Sequence, residues 1–166
     1  AAPSAPATPV INDTDSPNFD SLTLSPEGVI YEGNDFTYNL KATDQSTIAK
    51  GTIVIKDKST NANLGSPIIC NSWNTFSGNT QLCTGTINTN NWGGKELKFE
   101  ITLEDSKGNI SPSSNNQNNV SMNILSDQTA PTLSVFTVPN SVLGGYSLNY
   151  TISASDQSTV TKATMA

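Results

Sequence analysis

The sequence predicts an all-β chain: an antiparallel β-sandwich of about seven strands, followed by the first strands of a second unit of the same type. Three observations lead there. Apolar residues alternate with polar ones at period two through most of the chain. Clusters of Gly, Pro, Asn, Asp and Ser interrupt the alternation at short intervals. An ordered set of residues then recurs more than a hundred positions later. Composition agrees. Ser, Thr and Asn supply 62 of the 166 residues, and these side chains compete with a helical backbone for its hydrogen bonds.

The elements follow in order. Residues 1–12 open with Pro at positions 3, 6 and 9 among Ala, Ser and Thr. That spacing favours extended polyproline II and reads as a linker or a mature N-terminus. Leu22 and Leu24 mark the first strand. Phe36, Tyr38, Leu40 and Ala42 alternate with Thr37, Asn39 and Lys41, and Ile53 and Ile55 follow Gly51. Shorter runs at 68–70 and 82–87 flank a polar loop. Phe99, Ile101 and Leu103 form the longest regular alternation, and Val120, Met122 and Ile124 the last. Each such run buries one face and wets the other. Turn-rich stretches at 25–28, 90–94 and 105–109 separate them.

The repeat sets the domain boundaries. Asp13-Thr-Asp-Ser-Pro17 recurs as Asp127-Gln-Thr-Ala-Pro131, an offset of 114 residues. Leu22 and Leu24 recur as Phe136 and Val138. Phe36, Tyr38, Leu40 and Ala42 recur as Leu148, Tyr150, Ile152 and Ala154, and Asp44-Gln-Ser-Thr47 recurs unchanged as Asp156-Gln-Ser-Thr159, now offset by 112. Residues 13–126 therefore form one complete unit, and 127–166 the opening of another. Two and a half strands cannot close a sandwich alone. The second unit is expected to belong to a longer array or to be completed by a neighbour.

About seven strands in roughly 110 residues is the size of an immunoglobulin-like sandwich. Two segments resemble the tandem bacterial immunoglobulin-like (Big-type) domains of large secreted and surface adhesins. Asp127-Gln-Thr-Ala-Pro-Thr132 resembles the D-x-T-A-P linker that begins such repeats. The segment 101–111, ITLEDSKGNIS, resembles their late D-x-x-G-N-x-S strand and turn. Two features depart from the pattern: Asp15-Ser16-Pro17 stands where T-A-P is usual, and the Cys70–Cys83 segment is an addition. The resemblance implies a structural and adhesive role outside the cell, with Ca²⁺ rigidifying the junctions between repeats.

Several functions are excluded or disfavoured. With no His, the chain has no Ser-His-Asp triad, Cys-His pair or imidazole metal site. A net charge of −6 and no Lys/Arg cluster leave no nucleic-acid footprint. No apolar run approaches the roughly 20 residues of a membrane span, and no signal peptide is recognised. The acidic residues stand in turns, away from any apolar pocket that would raise a pKa, so the chain reads as a non-enzyme.

Three groups of residues carry candidate chemistry. Alternating strand direction brings the turn after the second strand, with Asp44, and the turn after the sixth, with Asp105 and Asn109, to the pole where the chain enters. Asp13 and Asp15 lie in the entering segment itself. These oxygen ligands suit Ca²⁺; the plainer reading is that each Asp caps a turn. Asp127 and Asp156 are their counterparts in the second unit. Cys70 and Cys83 flank the polar loop, as a disulfide in an extracellular protein or as buried thiols. Trp73, Phe76 and Trp92 lie in turn-rich segments, with Trp73 and Trp92 as candidate glycan-stacking residues or as lids on the sandwich. N-x-S/T matches at Asn12, Asn109, Asn119 and Asn149 are expected by chance in so Asn-rich a chain.

The function read from the sequence is a rigid spacer in an extracellular bacterial surface protein. Its partners would be neighbouring repeats or identical subunits, with a surface glycan or protein receptor beyond them. The alternatives are a fibre or pilus subunit completed by strand exchange and a carbohydrate-binding module.

Overall fold

The computed structural model describes residues 12–111, 120–141 and 143–164. Residues 1–11 of the Pro/Ala segment 1–12, and Asn119, lie outside them. The described residues form eleven strands and no helix. These are β1 (Asn18–Ser25), β2 (Gly28–Tyr31), β3 (Asp35–Thr43), β4 (Ile48–Asp57), β5 (Ile68–Cys70) and β6 (Asn74–Ser77). They continue as β7 (Thr80–Asn88), β8 (Lys95–Asp105), β9 (Ser121–Leu125), β10 (Thr132–Thr137) and β11 (Thr151–Ser155).

Two sheets pack into a sandwich, one ordered β1-β3-β7-β6 and the other β2-β9-β8-β4-β5. Among the described residues nine strands precede residue 126, where about seven were expected. The difference has two sources. The Ser25–Gly28 turn splits the first strand: Pro26 offers no N–H to a ladder, and Gly28 takes φ +85°. The chain crosses there to the other sheet, and β2 runs parallel to β9. The antiparallel expectation is corrected at that one pair. One short strand, β6, also forms in the polar loop between the cysteines.

The period-two alternation is realised residue by residue. Phe36, Tyr38, Leu40 and Ala42 of β3 face Leu97, Phe99, Ile101 and Leu103 of β8 within one buried cluster. Phe36 and Phe99 meet edge to face, ring centres 6.3 Å apart at 85°. Long strands give the molecule two poles. At the near pole β1 begins beside the end of β3 (Asn18 opposite Thr43), and β8 ends beside the start of β4 (Asp105 opposite Ile48). At the far pole β4 ends and β9 arrives, with Asp57 opposite Leu97 and Ile124 opposite Lys95.

The β10–β11 hairpin follows the β1–β3 pairing at the sequence offsets given above. Phe136 opposes Ile152 as Leu22 opposes Leu40, and the register shift at Leu133/Val135 matches that at Phe19/Ser21. Gly145 (φ +88°) stands where Gly33 (φ +84°) stands. The following N–H closes the same turn in both, Tyr146 to Leu143 and Asn34 to Tyr31.

Candidate metal centre

Strand alternation carries an acid onto the core face at the near pole twice. Asp44 lies two residues past buried Ala42, and Asp105 two past buried Leu103. The segment preceding β1 supplies the third acid, Asp13. All three are buried, with exposures of 9% (Asp13), 7% (Asp44) and 2% (Asp105). One oxygen from each lies within 4.8 Å of the others.

The three carboxylates differ in how they are held. Asp105 is saturated. Its Oδ1 accepts the backbone N–H of Lys107 and Asn109, both at 2.8 Å, and Oδ2 accepts Asn109 Nδ2 at 2.8 Å and Ser46 Oγ at 3.1 Å. The turn that delivers these donors needs Gly108 at φ +88°. Ser111 pins its base: its backbone N–H donates to the Leu103 carbonyl, and its Oγ accepts the Leu103 N–H. Asp44 accepts the Gln45 N–H at 2.7 Å and, more weakly, the Ser46 hydroxyl at 3.4 Å. Asp13 Oδ1 accepts the Asp15 N–H at 3.1 Å. Asp13 Oδ2 is buried with no hydrogen-bond partner among the described residues.

The electrostatics follow. Burial pushes the Asp105 carboxyl up, yet the donors from Asn109, Lys107 and Ser46 outweigh it and hold the group at about 2. Asp44 is held above its ordinary value, by burial first and then by the neighbouring Asp13 and Asp105, against the Gln45 and Ser46 hydrogen bonds. An orphaned buried oxygen and a like-charge neighbour are both costly unless a cation joins them.

Three buried carboxylates brought this close together could hold a metal ion. Two oxygens bound to one Ca²⁺ at about 2.4 Å stand no more than about 4.8 Å apart, and the three oxygens here lie within that limit of one another. Asp13, Asp44 and Asp105 are the residues that would hold the ion, and a solvent hollow bordered by Gln45, Thr47 and Lys107 reaches Asp13.

The remaining candidates sort around this core. Asp15 is exposed, outside the cluster, and accepts Gln45 Nε2 at 3.2 Å. Asn109 turns its amide nitrogen inward, donating to the Asp13 backbone carbonyl and to Asp105 Oδ2, so it ties the entering segment to the Asp105 carboxylate as a donor. Asp127 and Asp156 are half-buried and joined through Thr129, whose hydroxyl reaches Asp127 Oδ1 at 2.7 Å and Asp156 Oδ1 at 3.3 Å. Ser158 first, then Thr129, hold the Asp127 carboxyl below its usual range.

The sequence reading passed over two residues. Ser46 bridges Asp44 and Asp105. Asp57, 2% exposed at the far pole, caps its turn through Ser59 and pairs with Lys95 at 3.0 Å. Its position two residues past buried Ile55 was the available signal.

Cys70 and Cys83 form a disulfide, Cα atoms 6.1 Å apart, that ties the two sheets together. Tyr38 fits beneath it, with its hydroxyl 3.4 Å from Cys70 Sγ. The Trp73 indole N–H donates to Cys70 O, and its ring packs over Gly51. Trp92 is half-buried against the far pole, beside Gly65. Phe76 is the exposed aromatic of this set, with Lys41 Nζ 3.6 Å from its ring centre. No helix among the described residues is long and apolar enough to cross a membrane. Comparison with protein-family models and with curated proteins finds no match for this chain.

Proposed function

We propose that the chain is a structural repeat of an extracellular bacterial surface protein, an immunoglobulin-like spacer whose connecting segment is stiffened by Ca²⁺. One observation carries the reading: Asp13, on the segment leading into the domain, is buried against Asp44 and Asp105 with one oxygen unpartnered. A cation shared by these three would fasten the incoming chain to both sheets at once. The register and turn common to β1–β3 and β10–β11 support the repeat, because a shared bulge position is not needed for pairing alone. The Cys70–Cys83 disulfide fits an oxidising compartment.

Calorimetric titration of chelator-treated protein with CaCl₂ tests the reading, together with melting in excess calcium and in chelator. A ligand that binds only the folded state raises Tm. The expected result is saturable binding that Asp13→Ala abolishes; heat-silent titration with superimposable melts would remove the ion from the account.

The fibre-subunit reading draws on the exposed Phe136, Leu148 and Tyr150 of the second unit, counterparts of buried Leu22, Phe36 and Tyr38. Concentration-dependent growth in sedimentation would favour it over the spacer.

A further inference from the structure

Asn34 stands at the far pole, after Gly33 in the turn joining β2 to β3. Fully buried Thr89 fixes its backbone, donating Oγ1 to the Asn34 carbonyl at 2.8 Å. Both halves of its side-chain amide are spent on the second unit. Nδ2 donates to the Gln157 carbonyl at 2.9 Å, and Oδ1 accepts the Thr159 hydroxyl at 3.3 Å. The turn it grips, Asp156–Thr159, is the tetrapeptide that recurs unchanged between the two units. The local geometry recurs as well: the Gln N–H meets the Asp Oδ1 at 2.7 Å in both. In the first unit Gln45 and Thr47 are exposed, and the Thr47 hydroxyl makes no hydrogen bond among the described residues.

We infer that the Gln45–Thr47 turn is a docking face for the Gly-Asn turn of a second domain of this kind. The asparagine amide of that domain donates to the Gln45 carbonyl and accepts from the Thr47 hydroxyl, as Asn34 does with Gln157 and Thr159. The pairing needs one donor and one acceptor on a single planar group, so an amide fits where a carboxylate would set two acceptors against a carbonyl. Docked this way, a far pole seats on a near pole without any metal. The inference rests on the spacer reading but uses none of the ion's ligands as contacts.

A tandem chain tests it, with residues 1–131 followed by 18–166. Pro131 then stands where Pro17 does, and the upstream Asn34 faces the downstream Gln45–Thr47. Residual dipolar couplings are recorded in chelator, so a failed calcium titration leaves this test intact. The two complete units are expected to share one alignment tensor. Upstream Asn34→Ala and downstream Thr47→Val are each expected to abolish the sharing, and downstream Thr47→Ser to retain it. Amide spectra of the separate units report that each still folds. Separate tensors in the unsubstituted tandem, or a shared tensor that survives either disabling substitution, would overturn the docking face.

Discussion

Asp44→Asn distinguishes a charged ion site from a capped turn, because the two accounts give opposite signs. Without a cation, the Asp44 carboxylate lies within 4.8 Å of oxygens from Asp13 and Asp105. Two unit charges about 4 Å apart repel by about 4 kcal/mol at an effective dielectric near 20. Hydrogen bonds from Gln45 and Ser46 offset part of this. Removing the charge should therefore stabilise the chelated protein by about 1–3 kcal/mol. Asn keeps an Oδ1 acceptor for the Gln45 N–H, so the turn itself survives. In calcium the order reverses. The parent gains about 2.7 kcal/mol at a hundredfold excess over Kd, and the variant forgoes most of that. At roughly 2–4 °C per kcal/mol for a chain of this size, differential scanning calorimetry resolves both differences. The variant should melt higher than the parent in chelator and lower in calcium. A variant that melts lower by the same amount in both buffers refutes the argument and leaves Asp44 as a turn cap.

Other outcomes follow from the same structure. Asp105→Ala strips a buried carboxylate from four donors and should cost about 3–5 kcal/mol in urea unfolding; a loss under about 1 kcal/mol contradicts the saturated network. In chelator, stability should rise as pH falls from neutral through the raised Asp44 range, because there the folded state binds a proton that the unfolded state does not. Below about pH 4 it should fall, as the unfolded chain protonates a carboxyl that Asp105 keeps ionised down to about 2 when folded; Tm against pH reads both arms. Reducing Cys70–Cys83 should cost about 2–4 kcal/mol, with intact mass confirming the state of the bond. Gly85→Ala places a Cβ 2.6 Å from the Tyr38 ring, and overpacking of that kind should destabilise by about 1–3 kcal/mol.

Much of the architecture was legible because side-chain alternation is a local signal. Phe99, Ile101 and Leu103 declare a buried strand face from three alternate positions, and the structure buries all three. The convergence of Asp44 with Asp105 was legible too, since strand direction alone returns both turns to one pole. The parallel β2–β9 pairing was not. Four residues, Gly28–Tyr31, carry too little alternation to announce a strand, and nothing local says which sheet they join. Trp73 was ambiguous for a similar reason. An aromatic in a loop reads alike whether it faces solvent or covers a glycine such as Gly51.

The division between the two kinds of information falls at the side chain. Order, repeat and face belong to the chain as a linear object: period two, turn chemistry and the recurring Asp-Gln-Ser-Thr are all readable between neighbours. Which oxygens are satisfied is not. Asp13, Asp15 and Asp44 look equivalent as letters, yet Asp13 ends buried with an orphaned oxygen, Asp15 lies in solvent, and Asp44 is squeezed between two like charges. Hydrogen-bond accounting depends on groups far apart in the chain, 96 residues in the case of Asn109 on Asp13. Such pairings exist only once two sheets have closed over them.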